Sequence, residues 1–305
     1  IYTLSLHDAL PIYEKMNILT FDIEEWYLEQ KLYGGRAYRF QKFDEVIKRL
    51  LDELESREYK ATFFCVGKLA ADYPQVIQAI VERGHEVGCH SNEHTWLDKM
   101  TEDELYKDTM EAIRSLEDVS GQQVVSYRAP AFSITQKNKW AVSVLAACGI
   151  ENDASIFPTS RDYGGYKGFP QDTPCIVCRE GAKLKEFPIS LTSIGGKRIA
   201  YSGGGYFRIL PYWFVNKTMN RREYNICYFH LNDLINEKIP LKSKEAYEAY
   251  FKELGTLKNR VVRYVKSNIG SGDTYKKLSR LLTDHRFTSI RDCGIDWTKV
   301  ETITL

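Results

Sequence analysis

The sequence lacks the features that mark membrane-spanning and nucleic-acid-binding proteins. It contains no run of 18 or more apolar residues, so we expect no transmembrane segment. Lys and Arg (42) nearly balance Asp and Glu (41), and the formal net charge of +1 comes without a basic block, so nucleic acid is not an expected partner. No Pro-, Gly- or Ser-rich linker divides the 305 residues, which favours one large domain.

The seven cysteines form an odd set and suggest no disulfide framework. Several lie within apolar strand or helix patterns, where a thiol acts as a small hydrophobic side chain. Cys175 and Cys178 have the CxxC spacing, yet no second CxxC and no nearby histidine completes a zinc site. We therefore expect a reducing compartment and predict a cytoplasmic protein.

Residues 1–15 lack the basic start and the long apolar core of a secretion signal. They resemble translated sequencing-adapter read-through, and we take Met16 as the natural start. We therefore predict that residues 1–15 are a non-native leader, and we leave His7 and Asp8 out of the argument.

Short apolar runs alternate with helical stripes along the rest of the chain, a pattern that predicts an α/β fold with a parallel sheet, open or closed into a barrel. One helix is predicted to begin at a capping box formed by Thr101 and Glu104. The predicted strands cover residues 17–22, 84–89, 123–128, 149–153, 184–189, 225–230 and 61–66, and the predicted helices cover residues 44–56, 74–81, 101–118, 137–148 and 211–220.

His90 and His94 lie four residues apart just after a predicted strand, where two imidazoles can bind one divalent ion from the same side. An acidic ligand is available near the start of the chain, because the apolar run 17–22 is followed by a cluster of carboxylates. Asp22 and Glu24 are two residues apart and would share one face of a strand. The two segments together predict a metal site.

Polar side chains follow the ends of five predicted strands, which are the ends that converge on the active-site face of a parallel barrel. Each has an ordinary structural alternative: Arg128 as an ion pair, Asp153 as a helix cap and His230 as a core histidine. Their joint placement favours a site. The five residues are Asp22, His90, Arg128, Asp153 and His230.

These segments together resemble the NodB-type polysaccharide deacetylases of carbohydrate esterase family 4. The resemblance covers about residues 16–234, with five motifs in the family's order. It implies a distorted (β/α) barrel of the NodB type, followed by a helical C-terminal extension over residues 235–305 that packs on the barrel. The segments 22–26 and 202–208 further resemble a branch linked to bacterial exopolysaccharide synthesis.

The resemblance implies hydrolysis of an N-acetyl group on a sugar with a divalent metal ion, most plausibly zinc, with cobalt, nickel or manganese as alternatives. The implied metal ligands are Glu24, His90 and His94. The family's first motif carries a second aspartate where this chain has Ile23, so Glu24 or Glu25 must supply the acidic ligand; Glu24 is preferred because it shares the strand face of Asp22.

The implied catalytic residues are a base, its partner, an acid and the carboxylate that makes the acid more basic. They are Asp22, Arg128, His230 and Asp153. A backbone N–H near Ala131 would bind the oxyanion. The glycine run 203–205 would let the backbone approach a saccharide, which the side chains of the next three residues would contact. The predicted substrate contacts are Ala131, Gly204, Tyr206, Phe207 and Arg208.

Three alternatives remain at this stage. Residues 90–94 also match the H-x-x-E-H motif of inverzincin proteases, with Glu93 as base, although that motif requires a helix. The altered first motif is compatible with a saccharide-binding relative that has lost catalysis. A small-amide hydrolase of the allantoinase type would keep the fold and change the substrate. Peripheral association with a polysaccharide synthesis system is a further expectation.

Overall fold

The structure is a computed structural model that describes residues 15–161, 163–251, 253–270 and 272–305. The leader predicted for residues 1–15 lies outside the described residues, apart from Lys15. The strands are β1 (Met16–Ile23), β2 (Thr62–Cys65), β3 (Glu86–Cys89), β4 (Ser126–Tyr127), β5 (Asn152–Asp153), β6 (Cys175–Arg179), β7 (Ala182–Glu186), β8 (Leu191–Ile194), β9 (Lys197–Ala200), β10 (Tyr224–His230) and β11 (Thr302–Thr304).

Twelve helices are formed by the described residues. They are α1 (Glu25–Tyr33), α2 (Ala37–Ser56), α3 (Gly67–Asp72), α4 (Pro74–Glu82), α5 (Glu102–Ser120), α6 (Ala141–Ala147), α7 (Gly204–Ile209), α8 (Tyr212–Asn220), α9 (Leu231–Leu234), α10 (Lys244–Phe251), α11 (Leu257–Asn268) and α12 (Thr274–Asp284). No helix in the described part of the chain is both long and apolar enough to span a membrane.

A nine-stranded sheet forms the centre of the fold, in the order β10-β1-β2-β3-β4-β5-β7-β6-β11. All neighbouring pairs are parallel except β6 and β7, and β8 and β9 form a separate antiparallel hairpin. The predicted α/β class with a mostly parallel sheet is confirmed. Within the described ranges, the sheet runs from β10 to β11 without a hydrogen-bonded closure between these edge strands.

Strand β1 is the second strand from one edge of the sheet, between β10 and β2, and its side chains are buried on both faces, as parallel strands covered by helices require. Phe21 stacks on Phe63 of β2, with ring centroids 5.0 Å apart. On the next residue the register places Asp22 beside His230 of β10. The C-terminal end of the apolar core therefore holds two of the predicted site residues side by side.

The predicted elements agree with the structure where the hydrophobic pattern is strong. The capping box of Thr101 and Glu104 is confirmed. Helix α2 begins at Ala37, seven residues before the predicted start, because Phe43 extends its buried face against Trp26. Strands β4 and β5 are only two residues long, shorter than predicted.

The C-terminal part of the chain returns to the sheet. Helices α10 to α12 are followed by a backbone bridge between Thr288 and Ile18 of β1, and β11 pairs with β6. The predicted helical extension thus also contains a strand. Its boundary after residue 234 stays a prediction.

Candidate metal centre and active site

Glu24, His90 and His94 form the metal-type cluster that the described residues contain, with one ligand atom from each lying within 4.8 Å of the others. Glu24 Oε2 lies 2.5 Å from His94 Nε2 and 3.5 Å from His90 Nε2. This buried oxygen has no partner in hydrogen-bond geometry. Two imidazole nitrogens and one carboxylate oxygen are a donor set that zinc prefers, and three protein ligands leave a position open for a reactant.

Hydrogen bonds on the far side of each imidazole orient the pair. His90 Nδ1 lies 2.7 Å from the carbonyl oxygen of Arg128, so Nδ1 carries the proton and Nε2 keeps its lone pair for a metal. His94 Nδ1 lies 3.3 Å from the hydroxyl of Tyr250, whose ring stacks on the imidazole. These contacts leave the Nε2 atoms of His90 and His94 directed at Glu24, as metal ligands require.

The loop that holds the two histidines is anchored by α5. Asp108 accepts a hydrogen bond from the backbone N–H of Asn92 at 2.9 Å, and Glu111 accepts one from the Asn92 side chain. Ser91 and His94 have left-handed backbone φ values of 66° and 56°, which non-glycine residues adopt rarely and mainly at functional sites. The inverzincin alternative requires this motif to lie in a helix. The loop is not helical, so that requirement is not met.

Glu25 points away from the histidine pair. Its carboxylate accepts hydrogen bonds from the backbone N–H of Asn232 and of Glu24. Burial and the nearby Glu24 carboxylate raise the pKa of Glu25 to about 7. Burial alone would raise the pKa of Glu24, yet His94 and His230 outweigh it and hold this pKa well below its usual range. The geometry therefore brings Glu24, and not Glu25, to the histidines.

Asp22 is held by a buried ion pair. Arg128 Nη1 lies 2.7 Å from Asp22 Oδ1 and 2.8 Å from the hydroxyl of Thr20, and neither charged side chain is more than 3% exposed. Arg128 Nε donates to the carbonyl of Ala154, and the guanidinium packs 4.3 Å from the Phe64 ring. Arg128 thus orients Asp22 while leaving Oδ2 directed toward His230.

We expect Arg128→Leu to lower the free energy of unfolding by about 3–5 kcal/mol, because it leaves the Asp22 carboxylate buried without its cation. Urea unfolding measures the change. The control is Lys48→Leu, which removes an exposed i,i+4 pair with Asp52 and is expected to cost less than about 1 kcal/mol. Equal losses in the two variants would contradict a buried Asp22–Arg128 pair.

His230 completes the cluster. Its Nε2 lies 3.7 Å from Asp22 Oδ2 and 3.8 Å from Glu24 Oε1, while its Nδ1 lies 3.3 Å from Asp233 Oδ2. Burial would lower the pKa of His230, but the carboxylates of Glu24, Asp233 and Asp22 raise it well above its usual value. The surrounding carboxylates therefore favour the protonated form of His230.

The carboxylate beside His230 is Asp233, which corrects the predicted pairing with Asp153. Asp153 instead lies beside Glu186 of the neighbouring strand and accepts a hydrogen bond from Ser155. Burial and Asp153 raise the pKa of Glu186 well above its usual value, which favours the protonated form of this acid. The Ser155 hydroxyl in turn accepts a hydrogen bond from the N–H of Ala129. Asp153 therefore helps to position the loop after Arg128 through Ser155.

The predicted substrate contacts separate into two groups. Ala131, Gly204, Tyr206 and Arg208 line the cavity that contains the cluster. Phe207 is fully buried and packs edge-on against Phe229, with centroids 5.0 Å apart. This placement corrects the prediction that Phe207 stacks on a saccharide.

The glycine run begins helix α7 and is not a loop over the site. A Cβ on Gly203 would lie 2.3 Å from the carbonyl oxygen of Tyr228, and Gly204 has a left-handed φ of 51°. Close approach to β10 therefore requires glycine at both positions. Arg208 at the end of α7 pairs with Asp233 at 3.2 Å, so it supports the carboxylate that contacts His230.

A cavity of about 740 Å³ surrounds the cluster. Its walls include residues that the sequence patterns did not indicate: Trp96 stacks on Tyr163 with centroids 5.0 Å apart, and Tyr250 covers His94. Asp233 could have been found from its position three residues after His230, the spacing of a capping box. Tyr250 has no such signal, because it lies 156 residues from His94 in the chain.

Part of the chain is similar to known polysaccharide deacetylases. A family model described as polysaccharide deacetylase matches residues 12–152, and a domain of unknown function, DUF3473, matches residues 154–294. A peptidoglycan-N-acetylglucosamine deacetylase from Bacillus cereus is 30% identical over 130 residues, covering 42% of this chain and 44% of the relative. A chitooligosaccharide deacetylase from Bradyrhizobium is 29% identical over 97 residues, covering 32% of this chain and 42% of the relative.

The chain thus spans less than half the length of these two curated relatives. A crystal structure from Mycobacterium smegmatis, described as a candidate polysaccharide deacetylase, shares the fold with a TM-score of 0.52 and 22% identity, covering 73% of this chain and 79% of that one. The family match includes β1 to β4, and with them the ends of the strands that hold Asp22, Glu24 and both histidines. Residues 12–152 are therefore similar to the polysaccharide deacetylase family.

Proposed function

We propose that the protein is a metal-dependent hydrolase that removes N-acetyl groups from amino sugars of a bacterial polysaccharide or its precursor. The observation that supports this proposal most strongly is the convergence of Glu24, His90 and His94 with the Asp22–Arg128 pair and His230 in one cavity. The relatives named as peptidoglycan and chitooligosaccharide deacetylases support the substrate class.

Each residue has a role that follows from its chemistry. Glu24, His90 and His94 would hold the ion, for which we propose zinc; when bound, it supplies Lewis acidity for the acetyl carbonyl and for water. Asp22 would take the proton of the attacking water, held in position by Arg128.

The leaving group requires a proton as the C–N bond breaks. His230 Nε2, kept protonated by the surrounding carboxylates, would donate it to the departing amine, so that acetate and the free amino sugar are the products. The backbone N–H of Ala131 is the group that we propose for the oxyanion. Ala131 lines the cavity with a left-handed φ of 57°, a conformation that turns the backbone sharply after Pro130.

The cavity favours a saccharide over a small amide. Its volume of about 740 Å³ lies in the range of sites that enclose drug-sized ligands, and Tyr206 lies in its wall with Trp96 and Tyr163. Aromatic rings of this kind suit the apolar faces of sugars. We propose that the sugar belongs to an exopolysaccharide or its precursor. We further propose that deacetylation takes place in the cytoplasm, where the protein associates with a polysaccharide synthesis system. Seven free cysteines support that compartment.

Acetate release tests the proposal. Protein reconstituted with zinc or cobalt is incubated with N-acetylhexosamine oligomers and lipid-linked saccharides, with Asp22→Asn and His94→Ala as controls. We expect acetate from the unchanged protein and far slower acetate release from both controls. Absence of acetate from fully metal-loaded protein across the panel would favour a saccharide-binding relative instead.

We expect Asp233→Asn to lower kcat about 10-fold with little change in KM, because His230 loses one of the carboxylates that keep it protonated. The loss should be smaller than the 10²–10⁴-fold contribution of a complete general acid. Steady-state kinetics across pH measures it, and the exposed Asp273→Asn is the control. A basic limb of the kcat profile that does not move to lower pH would argue against this role of Asp233.

A further inference from the structure

Helix α11 is anchored to the protein through polar side chains. Arg260 Nε donates to the carbonyl of Lys242 at 2.8 Å. The side chain of Asn268 accepts from the N–H of Ile239 at 2.6 Å and donates to its carbonyl at 3.0 Å. These two residues are eight positions apart and lie on one side of the helix, so the inward face of α11 is polar.

The outward face of the same helix is apolar. Val262, Val265 and Ile269 follow one another at helical spacing and are 43%, 50% and 47% exposed. Val261 of the same helix is also exposed, at 41%. An amphipathic helix of a water-soluble domain buries its apolar stripe, and α11 has the opposite orientation. An exposed stripe of this kind marks an interaction surface.

The charge of this segment indicates what the surface binds. Residues 254–270 contain no Asp or Glu, and of their four cations Arg260 and Arg263 contact the protein while Lys258 and Lys266 are exposed. Lys258 is exposed and lies among the outward valines. Aliphatic side chains flanked by basic residues are typical of helices that lie in the interface of a membrane with anionic lipids, where long lysine side chains reach the headgroups. Most protein surfaces instead present charges of both signs.

The inward side of α11 adjoins the cavity. Arg208 Nη1 donates to the carbonyl of Ser267 at 2.8 Å, which ties the end of α7 to the end of α11. Ile209 is 54% exposed next to this contact, and it lines the cavity together with Ser267.

We propose that α11 and Ile209 form a docking surface for an anionic lipid bilayer, with the protein lying on one leaflet. The aliphatic side chains enter the headgroup region, and Lys258 pairs with lipid phosphates. The proposal concerns where the protein acts and goes beyond the proposed deacetylation.

Vesicle sedimentation with the full chain tests the proposal. We expect binding to vesicles of phosphatidylglycerol and phosphatidylcholine, and little binding to phosphatidylcholine alone. The double variant Val262→Glu/Val265→Glu should lower the partition coefficient at least about tenfold, because it adds two anions to the contact face. Lys258→Gln should lower it about fivefold. Ile194→Glu is the matched control, since Ile194 is 43% exposed on the β8–β9 hairpin.

Several outcomes would overturn docking. Equal binding to neutral vesicles, or unchanged binding by the double variant, would exclude this surface. A second copy of the chain would be the partner instead if the unchanged protein did not bind vesicles but formed a concentration-dependent dimer in ultracentrifugation. The double variant would then abolish that dimer. Sedimentation requires no turnover, and Asp22→Asn protein should bind vesicles normally, so failure of docking and failure of deacetylation are distinguishable.

Discussion

Protein with Glu24→Gln should lose its divalent metal, whereas protein with Glu25→Gln should keep it. Glu24 Oε2 lies between the two imidazole Nε2 atoms, and the amide of glutamine is a poor metal ligand. Changes outside the ligand set already cost about 10–100-fold in affinity, so loss of a ligand should cost more than about 100-fold. Calorimetric titration with zinc or cobalt, followed by metal analysis after dialysis, measures the effect.

Glu25→Gln is a matched control because the two glutamates are adjacent and both are largely buried. Glutamine keeps one acceptor oxygen for the N–H of Asn232 and gives up only the bond from the N–H of Glu24. Metal loss in the Glu25 variant with retention in the Glu24 variant would reverse the ligand assignment. If both variants retained the metal, neither glutamate would be a metal ligand.

The second large effect is expected for Asp22→Asn, which should reduce kcat about 10³-fold without altering metal content. Asparagine keeps the size of the side chain but cannot accept a proton from water, and general bases contribute about 10²–10⁴-fold. Oδ2 of Asp22 lies 3.7 Å from His230 Nε2, on the side of the carboxylate that faces the cavity. Acetate release by metal-loaded protein gives kcat directly.

Two checks separate catalysis from folding in this experiment. Asp98→Asn changes a carboxylate that is 42% exposed and paired with Lys99, and it should leave kcat unchanged. Urea unfolding of the Asp22 variant shows whether the lost pairing with Arg128 has weakened the fold. A folded, metal-loaded Asp22→Asn protein that retains more than about a tenth of kcat would rule out Asp22 as the base.

The residues closest to the reaction could be predicted from sequence because each follows an apolar strand. Asp22 and His230 end neighbouring parallel strands, and the register puts them side by side. His90 and His94 follow β3 within five residues. Strand ends of a parallel sheet converge at one edge, so local patterns determine which side chains meet there.

The second layer of the site could not be predicted in this way. Asp153 and Asp233 are both acids near strand ends, yet only the turn into α9 brings Asp233 to His230. Phe207 looked available for a sugar, but α7 directs it into the core against Phe229. In both cases the side-chain direction depends on helix geometry after the glycine run or the strand end, which periodicity does not specify.

The amino-acid sequence by itself determined the α/β class, the alternation of strands and helices, and the group of residues at the strand ends, because hydrophobic periodicity and strand polarity are local properties. Tertiary structure alone decided that Glu24 and not Glu25 faces the histidines, that Tyr250 covers His94, and that α11 turns its apolar side outward. These outcomes depend on contacts between segments far apart in the chain, whose relative positions arise only when the whole core packs.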